Sequence, residues 1–110
     1  MSVASDLIAA LGEFKLPVYQ NQYTGEERVY FVFNIGEIPQ DFADNYPQHE
    51  RALIQLHLFA PISLNTTAMR AGIKGALVDA GFDYPSVTDA SDEDGQHLVF
   101  ETGCAYGSDS

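Results

Sequence analysis

The sequence predicts an α+β domain: an antiparallel sheet of four or five strands with two helices packed on one face, in the order α-β-β-loop-β-α-β-β. Three observations predict it. Apolar residues recur at helical spacing in residues 3–14 and 65–80. They alternate with a period of two in 28–34 and 51–60, and more loosely in the β-rich 96–102. The strands are grouped together rather than threaded singly between helices, so no βαβ repeat is expected.

The elements follow in order. Val3, Leu7, Ile8, Leu11 and Phe14 form the stripe of the first helix, with Ser2 and Ser5 as caps and Pro17 as its stop. PVYQNQYTGEERVYFVFN then predicts a hairpin around Thr24-Gly25. In its second strand Val29, Phe31 and Phe33 share one face. Arg28, Tyr30 and Val32 share the other, which is not fully polar and suits a subunit contact. IGEIPQDFADNYPQHE, 35–50, has two prolines and no hydrophobic period, so it reads as a long loop. In RALIQLHLFAP, Ile54, Leu56 and Leu58 alternate with Gln55, His57 and Phe59. The second helix has Asn65 as its cap, Met69, Ile73, Ala76, Leu77 and Ala80 as its stripe, and Gly81 at its stop. Gly72 and Gly75 inside it suggest close helix-on-sheet contact. The last hairpin pairs a weak strand near 86–89 with a strong one over 96–102. Its tip, SDEDG, would be closed by Gly95 at positive φ, and 105–110 reads as a loose tail.

A chain of 110 residues with 45% hydrophobic content suits one folded domain, 1–110. No apolar run approaches the roughly 18 residues that span a bilayer, so no membrane partner is expected. MSVASDLIAALGEF has no basic residue and does not read as a signal peptide. Sixteen acidic against five basic residues give a net charge of −11. That balance disfavours binding to nucleic acid or anionic membranes, which need a basic surface. It leaves either a soluble, self-repelling surface or acid that repels or mimics DNA.

The acidic segment 87–103 partly matches an EF-hand loop. With Gly95 as the sharp turn, Asp92, Asp94 and Glu101 fall on ligand positions, but position 90 is alanine and neither flanking helix is present. A polar hairpin tip is the better reading, and no metal or cofactor is expected. His49, His57 and His97 lack ligand spacing, although His57 and His97 can pair across neighbouring strands. Cys104 has no basic neighbour in sequence, and Ser63 and Ser86 lack a nucleophile elbow. Nothing in the chain argues for an enzyme.

Three segments, YQNQYTGEERVYFVFN, RALIQLHLFAP and IKGALVDAGFDYPSVTDASDEDGQHLVFET, carry a resemblance. They resemble small structural proteins of the head-to-tail region of long-tailed bacteriophages, in particular the tail-completion or tail-terminator (tail-to-head joining) family. The resemblance covers about residues 14–102. It implies a homo-hexameric ring in the virion, at the tail–neck junction, made in the bacterial host cytoplasm. The ring would cap the tail tube, touching the major tail tube protein on one side and the head–neck connector or stopper protein on the other. DNA would pass through without specific binding.

Within that reading, Asp89, Asp92, Glu93 and Asp94 are candidates for electrostatics at the lumen or a ring surface. Glu37, Asp41, Phe42, Asp44 and Tyr46 of the 35–50 segment are candidates for ring-to-ring contact, and Arg28, Tyr30 and Val32 for subunit contact. Two alternatives stand beside it. One is another neck or tail component, such as an adaptor, stopper or tube subunit. The other is an acidic DNA-mimicking inhibitor, although concentration of the carboxylates in two segments disfavours phosphate-like spacing.

Overall fold

The computed structural model describes residues 2–43 and 46–107, with side chains described for 2–38 and 51–105. The elements are α1 (Val3–Leu11), a 3-10 turn (Gly12–Phe14), β1 (Val18–Gln20), β2 (Tyr30–Ala43), β3 (Tyr46–Ala60), α2 (Thr67–Asp79), β4 (Ser86–Asp89) and β5 (Gln96–Gly107). One five-stranded sheet has the order β1-β2-β3-β5-β4. The α+β class and the two helices on one face are as expected.

The sheet is mixed rather than wholly antiparallel. β1 runs parallel to β2, with Val18 beside Phe31 and Gln20 beside Phe33. The predicted hairpin at Thr24-Gly25 does not form. Asn21, at φ 73°, turns the chain, a left-handed conformation that asparagine tolerates. The Tyr23 hydroxyl accepts from the Glu27 amide at 2.9 Å, and the Tyr23 ring stacks on Tyr30. The segment therefore folds back across the sheet. Parallel pairing ordinarily needs about a dozen connecting residues. A shorter return suffices here because β1 has only three residues.

Residues 35–43 and 46–50, expected as loop, are strand. β2 and β3 pair in one register from Tyr30↔Phe59 to Gln40↔His49, and again at Phe42↔Pro47 and Ala43↔Tyr46. Pro39 and Pro47 signal a loop only where a strand's N–H must be donated. Pro39 lies beyond β1, whose pairing with β2 ends at Phe33, and Pro47 lies beyond β5, whose pairing with β3 ends at His49. Among the described residues each has a strand partner on one side only. The 15-residue β3 accounts for a molecule 54 Å long and 24 Å across. β5 likewise continues to Gly107, so residues 105–107 of the expected tail are strand.

The core lies between helices and sheet. Leu7 and Leu11 of α1, Ile73 and Leu77 of α2, and Phe31, Phe33, Ile54, Leu56, Leu58, Leu98 and Phe100 of the sheet are at most 1% exposed. α2 ends where expected: Gly81 at φ 96° lets the Phe82 amide reach the Leu77 carbonyl and its own amide reach the Val78 carbonyl. Phe82 then packs with Leu77 in the core, the hydrophobic contact that accompanies this cap. At the helix start Asn65 Oδ1 accepts from the Thr67 amide, and buried Thr66 donates to Gln96 Oε1 of β5. Gly72 does not approach the sheet: a Cβ there would lie 3.2 Å from the Phe14 ring. Gly75 has nothing within 4 Å, so close packing does not account for it.

Candidate functional site: the helix-free face of the sheet

Both helices cover one face of the sheet, and the other face has none. Period-two alternation puts Tyr30 and Val32 of β2, His57 and Phe59 of β3, and His97 and Val99 of β5 on that open face. All six are half-buried. Their rings form a continuous stripe across three strands. Tyr19 meets Tyr23 edge-on at 5.0 Å, Tyr23 stacks on Tyr30 at 4.3 Å, and Tyr30 stacks on Phe59 at 5.0 Å. Phe59 stacks on His97 at 4.3 Å, and His97 ends the stripe against His57.

The two histidines are joined. His57 Nδ1 and His97 Nε2 are 2.7 Å apart, so one donates and the other accepts. Burial, and next the neighbouring His97, hold the His57 imidazole below its ordinary value of 6.5.

The opposite end of this face is built differently. Leu53 is flanked by Gly36 on β2 and Gly103 on β5, and it is 43% exposed. Without side chains beside it, a shallow groove of about 640 Å³ opens over the backbone. Arg51, ion-paired with Asp83, stands at its edge. Gly103 is sterically required, since a Cβ there would lie 2.6 Å from the Ala52 carbonyl oxygen.

Of the predicted subunit-contact residues, Tyr30 and Val32 are on the open face. Arg28 is exposed in the bend before β2 rather than within the strand. Of the predicted ring-contact residues, Glu37 is exposed on β2, Phe42 and Tyr46 lie in the paired ribbon instead of a loop, and Asp41 lies in strand β2. Asp44 lies outside the described residues. Sequence reasoning did not join Tyr19, Tyr23, Phe59 and His97 to Tyr30. The signal was present in YFVF and LHLFA, where aromatic residues occupy the phase that a solvated face would fill with polar ones.

The acidic tip forms as a turn between β4 and β5, with Asp92, Glu93 and Asp94 exposed. Gly95 is not at positive φ; it sits close to the Ala60 carbonyl, which a Cβ would approach to 3.1 Å. Asp92 Oδ1 accepts from the Asp94 amide, and Asp89 Oδ1 accepts from the Ser91 amide. The Ser91 bonds, more than Arg70 at 4.0 Å, hold the Asp89 carboxyl below its ordinary range. Glu101 lies six residues along β5 from Gly95, paired with Gln55 and Ser86, on the order of 20 Å away. The acids that the calcium template aligned therefore do not converge. Cys104 does have a cationic neighbour in space, Arg51, but burial outweighs it and pushes the thiol up.

No known family profile matches the chain, and no curated protein sequence matches it. One solved structure superimposes with a TM-score of 0.52 over 93% of this chain and 94% of the other, at 17% identity. At that identity the likeness is one of fold.

Proposed function

We propose that this chain is a structural subunit of a bacteriophage tail–neck junction, forming a ring that caps the tail tube and joins it to the head–neck assembly. The observation that supports the reading is the helix-free sheet face. An aromatic stripe that the subunit's own helices leave uncovered is surface of the kind that assembly buries. Tyr30 and Val32 would lie in the subunit contact, with Arg28 at its rim. The β2–β3 ribbon, including Glu37, would reach the adjacent ring of tube or neck protein. Asp89, Asp92, Glu93 and Asp94 would face the lumen or a ring surface. Six chains would carry about six times the charge of −11, and acid along a channel repels phosphate and lets DNA slide.

The test is light scattering on size-exclusion fractions, alone and with the cognate tail tube protein. A ring of about six chains is expected, and Tyr30→Glu with Val32→Glu should yield folded monomers. A twelve-membered ring would assign the chain to a neck adaptor instead. A monomer that ignores the tube protein and competes with DNA for a DNA-binding protein would replace this reading with DNA mimicry.

A further inference from the structure

His57 and His97 are held more tightly than a chance pair of surface histidines. His57 stands opposite Val32 and Val99, and His97 opposite Phe59, so the two rings meet diagonally across β3 and β5. The His97 ring lies flat on Phe59, which lies flat on Tyr30. The imidazole centroids are 5.0 Å apart, which is the 2.7 Å nitrogen gap plus the distance from each nitrogen to its ring centre. The two nitrogens therefore lie on the line between the rings, with one lone pair aimed at the other ring's N–H. A metal shared by both needs the lone pairs to converge on a point off that line, about 2.0–2.1 Å from each nitrogen. Head-on rings suit a shared proton instead.

We propose that His57 and His97 act as one acid-sensitive latch: they share a hydrogen bond at neutral pH, keep it after taking up one proton, and break it on taking up a second. The proton count follows from the rings. Two neutral imidazoles supply one donor and one acceptor to the bond, and a first added proton can go to an outward nitrogen. A second removes the only acceptor and sets two cations nose to nose. The stripe then loses its β5 end.

The surrounding charges do not relieve this. Val32 and Val99 are neutral, and Tyr30 and Phe59 present ring faces. Arg28 before β2 adds positive charge near His97, while Asp92 and Asp94 of the turn line the same groove. Those two carboxylates are exposed and in high dielectric. Glu101 lies two rows along β5, opposite Gln55. If, as the proposed ring assembly requires, the stripe is a subunit contact, acid would loosen the ring. The latch itself is a property of the single chain.

Imidazole 15N spectra of the full chain across acid and neutral pH test it. The expected result is two protonation steps separated by more than about tenfold in proton activity, the mark of coupled sites. In His97→Gln the midpoint of His57 should rise, because the neighbouring charge is gone. The complementary His57→Gln should reduce the pair's titration to one simple step. Identical, independent midpoints in the parent chain would overturn the latch without any variant. Zinc ion that shifts both ring resonances at an equimolar dose would also overturn it and make the pair a chelate. Neither outcome depends on ring formation, so the assembly proposal stands or falls separately.

Discussion

The two faces of the sheet come from the same three strands, residue by alternate residue, yet they meet different fates. Phe31, Phe33, Leu56, Leu58 and Phe100 are fully buried under α1 and α2. Tyr30, Val32, His57, Phe59 and Val99, one step away in each strand, stay half-buried with neither helix above them, and of these Tyr30 carries the Tyr23 ring. Composition alone does not explain the contrast, because the open face is itself rich in rings. Coverage does. The first face is consumed by folding, and the second retains apolar surface that folding does not use.

The largest expected effects sharpen that contrast. Phe100→Ala should cost about 3–5 kcal/mol and Ile73→Ala about 2–5 kcal/mol, since both sites are fully buried and leave cavities. Phe59→Ala, on the open face, should cost only about 1–2 kcal/mol through three lost stacks and partial burial. Urea denaturation of the chain measures all three. Equal costs for Phe59→Ala and Phe100→Ala would break the comparison, because the open face would then be core.

The next effect separates the two ends of the open face. Gly103→Ala should destabilise by about 1–3 kcal/mol, because the new methyl meets the Ala52 carbonyl and the backbone must shift. Gly36→Ala, where the nearest atom is 4.0 Å from the added carbon, should change thermal stability by less than about 1 kcal/mol. A similar cost at both sites would mean that the bare groove reflects strand conformation rather than close approach.

These features were unevenly legible in the sequence. The helices, their stops and the alternation of β3 and β5 were readable because a half-buried element writes its period into its residues. Gly81 was readable because its stop requires positive φ. The 35–50 ribbon was not, since its residues show no two-residue period and its prolines read as loop signals until the strand pairing around them is known. Parallel β1 was missed for a related reason. A three-residue strand has too few positions to show direction, and its pairing depends on where Tyr23 lands. The open face was half legible: Tyr30 and Val32 announced it, but only the register of β3 and β5 brings Phe59, His57 and His97 beside them.

A smaller effect is the pH response of the open face. His57 is held below its ordinary 6.5, so native protein refuses a proton that the unfolded chain accepts. Its contribution to stability is fully present above about pH 6.5 and is lost as pH falls below that value, until native His57 itself protonates. Urea midpoints at about pH 7.5 and 5.5 should therefore differ more in the parent chain than in His57→Gln. A substitution on the helix-covered face, such as Leu58→Met, should leave that difference unchanged. If it flattens the response equally, the sensitivity belongs to the whole fold and not to one face.

The smallest effect on folding is expected at the acidic tip, which belongs to neither face. Asp92, Glu93 and Asp94 are exposed, and carboxylates crowded in water repel one another only through a high, salt-screened dielectric. Replacing them with Asn, Gln and Asn keeps the oxygen at residue 92 that accepts from the amide of residue 94. Stability should change by less than about 0.5 kcal/mol, as for other surface positions without special geometry. The charge nevertheless changes by three per chain, and in a ring that change is multiplied by every copy. If the tip faces the lumen, assembly should survive and DNA should be retained more strongly, most visibly at low salt. If the ring falls apart, the acids belong to a contact between subunits. If neither assembly nor DNA retention moves, the tip is a solvated turn, and the proposed lumen would draw any field from other carboxylates.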